Sequence, residues 1–119
     1  MHESVGKTER TGKLKASIGI CAYNEENNIG NLLRSIRTQE LGRIEIAQVV
    51  VVSSACRDST NTIVRAMRLQ DPRIALIEQP QRNGKASAVN LFLRTASEGI
   101  CILISADTVL ASELSLIHI

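Results

Sequence analysis

Residues 49–67 read VVVVSSACRDSTNTIVRAM, and this stretch decides the fold. Val49 to Val52 are four β-branched residues with no polar interruption. That is the pattern of a strand covered on both faces, as happens where helices sandwich a parallel sheet. Asp58, Ser59 and Thr60 then offer side-chain oxygens to the unpaired N–H groups at a helix start. Ile63, Val64 and Met67 follow at helical spacing. Strand, polar turn and helix in this order make half of a β–α–β unit.

Working outward, the same unit repeats on both sides. Ser17 to Ala22 is a short apolar run, and Ile29, Leu32, Leu33 and Ile36 recur with helical period behind acidic Glu25 and Glu26, which suit a helix N-terminus. Asp71 and Pro72 end the middle helix, Arg73 to Glu78 predicts a third strand, and Pro80 to Gly84 is loop by composition. A third helix carries Ala86, Val89, Leu93 and Ala96 on one face, and Gly99 breaks it before a fourth strand at Ile100 to Ile104. The alternation β, α, β, α, β, α, β predicts an α/β fold with a parallel sheet, right-handed crossovers and helices on both faces. In such sheets ligands bind beyond the carboxyl ends of the strands. Tyr23, Asn24, Glu25, Ser53, Ser54, Glu78, Ser105 and Asp107 stand there.

The chain has 119 residues, 44% apolar and 22% charged, which suits one soluble globular domain. Its net charge of +2 comes from the first fifteen residues, where Lys7, Arg10, Lys13 and Lys15 face Glu3 and Glu9. The remainder balances, so no extended cationic surface for duplex DNA or an anionic membrane is expected. Aromatic residues make up 2%, too few for the stacking platforms of single-strand nucleic-acid binders. No nucleic-acid partner is expected. Cys21, Cys56 and Cys101 are odd in number and lack metal-ligand spacing, which points to a reducing cytosol rather than a disulfide or zinc scaffold. Cys56 and Cys101 read as small core residues. The apolar runs at 49–52 and 100–104 fall far short of the ~18 residues of a membrane span.

Cys21 to Glu26 contains no glycine, so the first turn lacks the backbone approach to pyrophosphate that a dinucleotide fold needs. Gly84-Lys85 is not a P-loop either, since Ala86 stands where Ser or Thr is needed and Gln79 where the first glycine is needed. Arg82, Gly84 and Lys85 nevertheless precede or open a helix, where amides, dipole and lysine charge together can hold phosphate.

The run SIGICAYNEENNI at 17–29 resembles the opening of family 2 glycosyltransferases, whose fold is called GT-A. Gln39, the stretch Val50 to Thr60, RNGKASAVN at 82–90 and ISADT at 104–108 agree in order, so the resemblance covers about residues 17–110. It implies the N-terminal half of that fold, a Rossmann-like three-layer sandwich with a mostly parallel sheet, binding a nucleotide-diphosphate sugar. The donor-binding residues it implies are Ala22, Tyr23, Asn24, Glu25, Ser54, Arg82, Lys85 and Asp107. Ala22, Tyr23 and Glu25 would lie near the nucleoside, and Lys85 and Arg82 near the diphosphate. Asp107 would hold a divalent metal, Mg²⁺ or Mn²⁺, a hard cation that prefers carboxylate and phosphate oxygens. There are two departures from the family pattern. Ser53 and Ser54 replace paired aspartates after the second strand, and Ser105 replaces the first acid of the metal motif.

The chain divides into a basic leader at 1–16, expected to be disordered, a nucleotide-sugar-binding α/β domain at 17–113, and a tail at 114–119. That tail, LSLIHI, is similar to the in-frame translation of a transposase adapter and is expected to be non-native. The resemblance implies sugar transfer to an acceptor these residues do not specify, by a longer protein in the cytoplasm or at the cytoplasmic face of the membrane. The general base for inverting transfer would come from an acceptor-binding half beyond this chain, so no residue here is assigned as catalytic. Two rivals stay open: a stand-alone nucleotide-binding or regulatory module, and a receiver-like phosphoacceptor domain.

Overall fold

The computed structural model describes residues 14–39, 42–81 and 84–106. Its elements alternate as expected: β1 (Leu14–Ala22), α1 (Ile29–Arg37), β2 (Ile44–Ser54), α2 (Thr60–Gln70), β3 (Ile74–Gln79), α3 (Lys85–Thr95) and β4 (Ile100–Ser105). The four strands form one sheet in the order β3-β2-β1-β4, and every pairing is parallel.

Strand alternation sorts the core into two layers. Ile18, Ile20, Val49, Val51, Ile102 and Ile104 face the side covered by α1 and α2, where Ile29, Leu32, Leu33, Ile36, Val64 and Met67 complete a continuous apolar cluster. Val50 and Val52 face the other side and pack on Ala88 and Phe92 of α3. The β-branched run at 49–52 is therefore fully buried on both faces, as its composition required. Gly19 of β1 lies directly under the Phe92 ring, where a Cβ would sit 2.5 Å from the ring atoms. The missing side chain is what lets α3 approach the sheet.

Several boundaries and faces differ from expectation. β1 begins at Leu14, whose N–H donates to Arg43 O at 2.7 Å, so residues 14–16 of the expected leader belong to the sheet. The rest of the 1–16 leader and the 114–119 tail lie outside the described residues. β2 extends well beyond Val49–Val52, because Gln48 is satisfied in place: its Oε1 accepts from Ser17 Oγ at 2.8 Å and from Ser97 N at 3.0 Å. The buried face of α3 is Ala88 and Phe92, with Leu91 and Ala96 packed beside them, rather than Ala86, Val89 and Leu93. The helix lies over β2 and β1, which turns Leu93 outward to 51% exposure. Cys56 is only half-buried and Cys101 is exposed, so neither is a core residue.

Topology places the site. The chain steps from β1 to β2 to β3 in one direction, then returns to the opposite side of β1 for β4. The switch point between β1 and β4 opens a crevice at the carboxyl ends of the strands.

Candidate functional site

That crevice is a cleft of about 230 Å³. Cys21, Ala22, Tyr23 and Glu25 line it from β1 and the turn after it, Ser54 from β2, Ser105 and Ala106 from β4, and Gly84, Lys85 and Ala88 from the start of α3. Gly84 sits at φ 91°, a backbone state that favours glycine, and it delivers the chain into α3 with no side chain capping the helix. The unpaired N–H groups of that first turn and the Lys85 ammonium thus meet at one end of the cleft, an arrangement suited to an anion. Burial pushes the Cys21 thiol up from its ordinary range, and the nearby Lys85 charge partly opposes this.

Ser54 is held from behind. Its hydroxyl donates to Gln79 Oε1 at 2.8 Å, and Gln79 Nε2 donates to Ser87 Oγ at 3.1 Å. A second cavity of about 380 Å³ lies behind Gln79, between Ala55, Arg57, Asn61 and Glu78.

The turn after β1 and the turn after β2 interlock. Asn24 N donates to Cys56 Sγ at 3.2 Å, Glu25 N to Thr60 Oγ1 at 2.8 Å and Glu26 N to Asp58 Oδ2 at 3.1 Å. In return Arg57 N donates to Asn24 Oδ1 at 2.8 Å and Ser59 N to Glu26 Oε1 at 2.9 Å. Asp58 Oδ1 also accepts from Thr60 N at 2.9 Å and Thr60 Oγ1 at 2.5 Å. Desolvation alone would raise the Asp58 carboxyl, but the bonds from Thr60 and Glu26 outweigh it and hold the group below its ordinary value.

Of the residues singled out from sequence, Ala22, Tyr23, Glu25, Ser54, Gly84, Lys85 and Ser105 come together in the cleft. Asn24 does not line it, and its side-chain oxygen is committed to Arg57 N. Ser53 alternates onto the α1 side of β2, where its buried hydroxyl has no partner. Glu78 faces away, receiving Asn61 Nδ2 at 3.2 Å and an ion pair from Arg65. Arg82 and Asp107 lie outside the described residues. Cys21, Ala88 and Ala106 line the cleft without having been singled out as ligand contacts. Strand alternation from Gly19 and the four-residue spacing of Gly84 and Ala88 were the available signals. Among the described residues no three His, Cys, Asp or Glu side chains group as a metal site.

Comparison with known proteins agrees with this geometry. Residues 17–116 match the family model described as glycosyl transferase family 2. The bactoprenol glucosyl transferase of Shigella phage SfV is 28% identical over 95 residues, which cover 79% of this chain and 31% of the relative. Among solved structures, the mannosyltransferase PcManGT from Pyrobaculum calidifontis, in complex with GDP-Man and Mn²⁺, superposes with a TM-score of 0.75 at 30% identity, covering 85% of this chain and 30% of that one. S. aureus TarS 1-349 in complex with UDP-GlcNAc shares the fold, with a TM-score of 0.74 at 23% identity over 88% of this chain and 30% of that one. The chain thus spans about a third of the length of these relatives. With 17–116 matched to the family model on a sheet whose cleft opens at the β1–β4 switch point, the chain belongs to glycosyl transferase family 2.

Proposed function

We propose that the chain is the nucleotide-sugar-binding part of an inverting glycosyltransferase, and that the cleft between β1, β4 and α3 receives the donor. The single observation that carries this reading is the convergence of Lys85, the open first turn of α3 and the Tyr23–Glu25 turn on one cleft. The α3 end suits a diphosphate, because its amides and the Lys85 ammonium supply positive charge without a reorganisation cost. The other end offers an aromatic ring at Tyr23, a carboxylate at Glu25 and the Ser54 hydroxyl, groups that recognise a base and a hydroxyl-bearing sugar. The GDP-Man and UDP-GlcNAc named for two of the similar structures support a nucleotide sugar as the ligand class.

A divalent metal fits only in part. The described residues supply no three-acid cluster, and the carboxylate proposed for it, Asp107, follows Ala106 of the cleft wall in sequence. A cation there would complete its oxygen shell with donor phosphates and water, and the Mn²⁺ of the mannosyltransferase structure supports this choice of group. When bound, it would neutralise charge on the departing diphosphate. In this reading no described residue is assigned as the acceptor-side base. Among the described residues no helix is long and apolar enough to cross a membrane. The bactoprenol named for one relative supports an acceptor or product at a membrane face.

Calorimetric titration of the chain with UDP and GDP, with and without Mn²⁺, tests the reading. Lys85→Ala is expected to weaken nucleoside diphosphate binding about tenfold or more, as loss of a charge-assisted contact does. Asp107→Asn is expected to abolish the effect of Mn²⁺. No binding by the parent chain, or binding indifferent to Lys85→Ala, contradicts the donor site. Binding indifferent to both Mn²⁺ and Asp107→Asn favours the stand-alone binding module instead.

A further inference from the structure

The turn after β1, which lines the cleft, is cross-tied to the turn after β2. Three successive N–H groups of the first turn, at Asn24, Glu25 and Glu26, end on side chains of the second. Two N–H groups of the second end on side chains of the first. Backbone-to-backbone bonds are made at the margins, Ala55 N donating to Gln79 O at 2.9 Å and Ile29 N to Glu25 O at 2.9 Å, whereas the N–H groups of residues 24–26 go to side chains. Asn24 and Ala55 both sit in the left-handed region, at φ 50° and 51°, which costs a residue with a side chain. The side chains must therefore hold what the backbone alone would not.

Two of them form the centre of the clasp. The Asp58 carboxylate bridges the turns, one oxygen on Thr60 and the other on Glu26 N. The Thr60 hydroxyl, its proton committed to Asp58 at 2.5 Å, is left with only lone pairs for Glu25 N at 2.8 Å. This polarised relay fixes the amide between Asn24 and Glu25, and with it the segment that presents Tyr23 and Glu25 to the cleft. Neither Asp58 nor Thr60 lines the cleft.

We propose that Asp58 and Thr60 are positioning residues that set the place of the Tyr23–Glu25 wall, and thereby the affinity for the nucleoside end of the ligand but not for its diphosphate end. This rests on the donor-binding reading of the cleft. The diphosphate end is built on α3, on the other face of the sheet, so the clasp has no route to it. Asn24, expected from sequence to contact the donor, becomes part of the clasp.

The separation of the two ends gives the test. The parent chain, Thr60→Val, Thr60→Ser and Asp58→Asn are titrated with UDP, GDP and inorganic pyrophosphate, and amide hydrogen exchange is read at Glu25 and Glu26. Thr60→Val removes the acceptor for Glu25 N without changing volume. It is expected to weaken nucleoside diphosphate binding about tenfold, leave pyrophosphate binding within about twofold, and speed exchange at Glu25. Thr60→Ser keeps the oxygen and restores both readouts. Asp58→Asn, which cannot accept at both carboxylate positions, is expected to act in the same direction and to speed exchange at Glu26. Equal loss of pyrophosphate and nucleotide binding, or unchanged nucleotide binding in Thr60→Val, overturns the proposal. If the parent chain binds neither ligand, the donor-binding reading falls. The clasp is then judged by exchange alone: faster exchange in Thr60→Val upholds it and unchanged exchange overturns it.

Discussion

Gly19→Ala puts a methyl group into space that the Phe92 ring already fills. The new Cβ would lie 2.5 Å from Cγ and Cδ2 and 2.7 Å from Cε2 of that ring, whereas carbon atoms pack at about 3.5–4.0 Å. Phe92 is fully buried against Val50 and Val52, so the ring cannot swing into solvent, and α3 must lift by about 1 Å. Overpacking of this kind costs about 1–3 kcal/mol. Alanine for glycine in an extended strand otherwise stabilises by about 0.4–1 kcal/mol, through the unfolded chain. The ring decides the sign, and the net loss is about 1–2 kcal/mol. For a domain of this size that lowers Tm by about 5–15 °C. Urea unfolding of wild type, Gly19→Ala, Phe92→Leu and the double variant measures it. In the Phe92→Leu background, where the ring is gone, Gly19→Ala is expected to cost less than half as much. A stability unchanged or raised by Gly19→Ala alone, or strictly additive effects in the double variant, would refute the packing argument.

Other expectations follow from single groups. Asp71, 5% exposed, accepts from Arg73 Nε and Nη2 at 2.8 Å each, and the Arg73 bond holds its carboxyl below the usual range. Because the folded value is depressed, the stabilisation is present above the unfolded carboxylate value of about 3.9 and is lost as pH falls through the folded value. Asp71→Asn should thus cost about 2 kcal/mol at pH 7, with the gap to wild type closing below about pH 4 in urea titrations. A gap independent of pH would contradict the ion pair. Gly84→Ala, at φ 91°, is expected to cost about 1–3 kcal/mol through backbone strain, read by thermal unfolding. Maleimide at neutral pH should modify exposed Cys101 faster than Cys21, whose thiol is half-buried and pushed up by burial. Nucleoside diphosphate should slow the Cys21 reaction alone, as mass spectrometry of the labelled peptides would reveal.

The strands and their order of appearance were legible because each is an apolar run between breakers, and Val49 to Val52 could only be buried on both faces. The strand ends were not, because Lys15, Gln48 and Ser53 look like leader or loop residues until cross-strand pairing takes them into the sheet. The face of α3 was misassigned for a related reason. Its sequence offers two apolar stripes, and the choice between them falls to Gly19, on a distant strand, which makes room for Phe92. At the site, the family-like motifs located the cleft through Ala22, Tyr23, Glu25, Ser54 and Lys85. What they hid was a division of labour inside the motif. Alternate residues of Asn24-Glu25-Glu26 point to different tasks, and only the partners on the second turn, Arg57 N and Ser59 N, reveal that the Asn24 and Glu26 side chains bind protein. Such pairings lie 32 to 35 residues apart, beyond the reach of any local pattern.

The central claim is that the switch-point cleft holds a nucleotide diphosphate between α3 and the turn after β1. Backbone amide NMR of the isotopically labelled chain, titrated with UDP and GDP in the presence of Mg²⁺, tests it most directly. The account predicts that shifts concentrate at Cys21 to Glu25, Ser54, Gly84 to Ala88, and Ser105 and Ala106, and saturate with one affinity. Shifts confined to other surfaces, or no saturable shifts with either nucleotide, would contradict it.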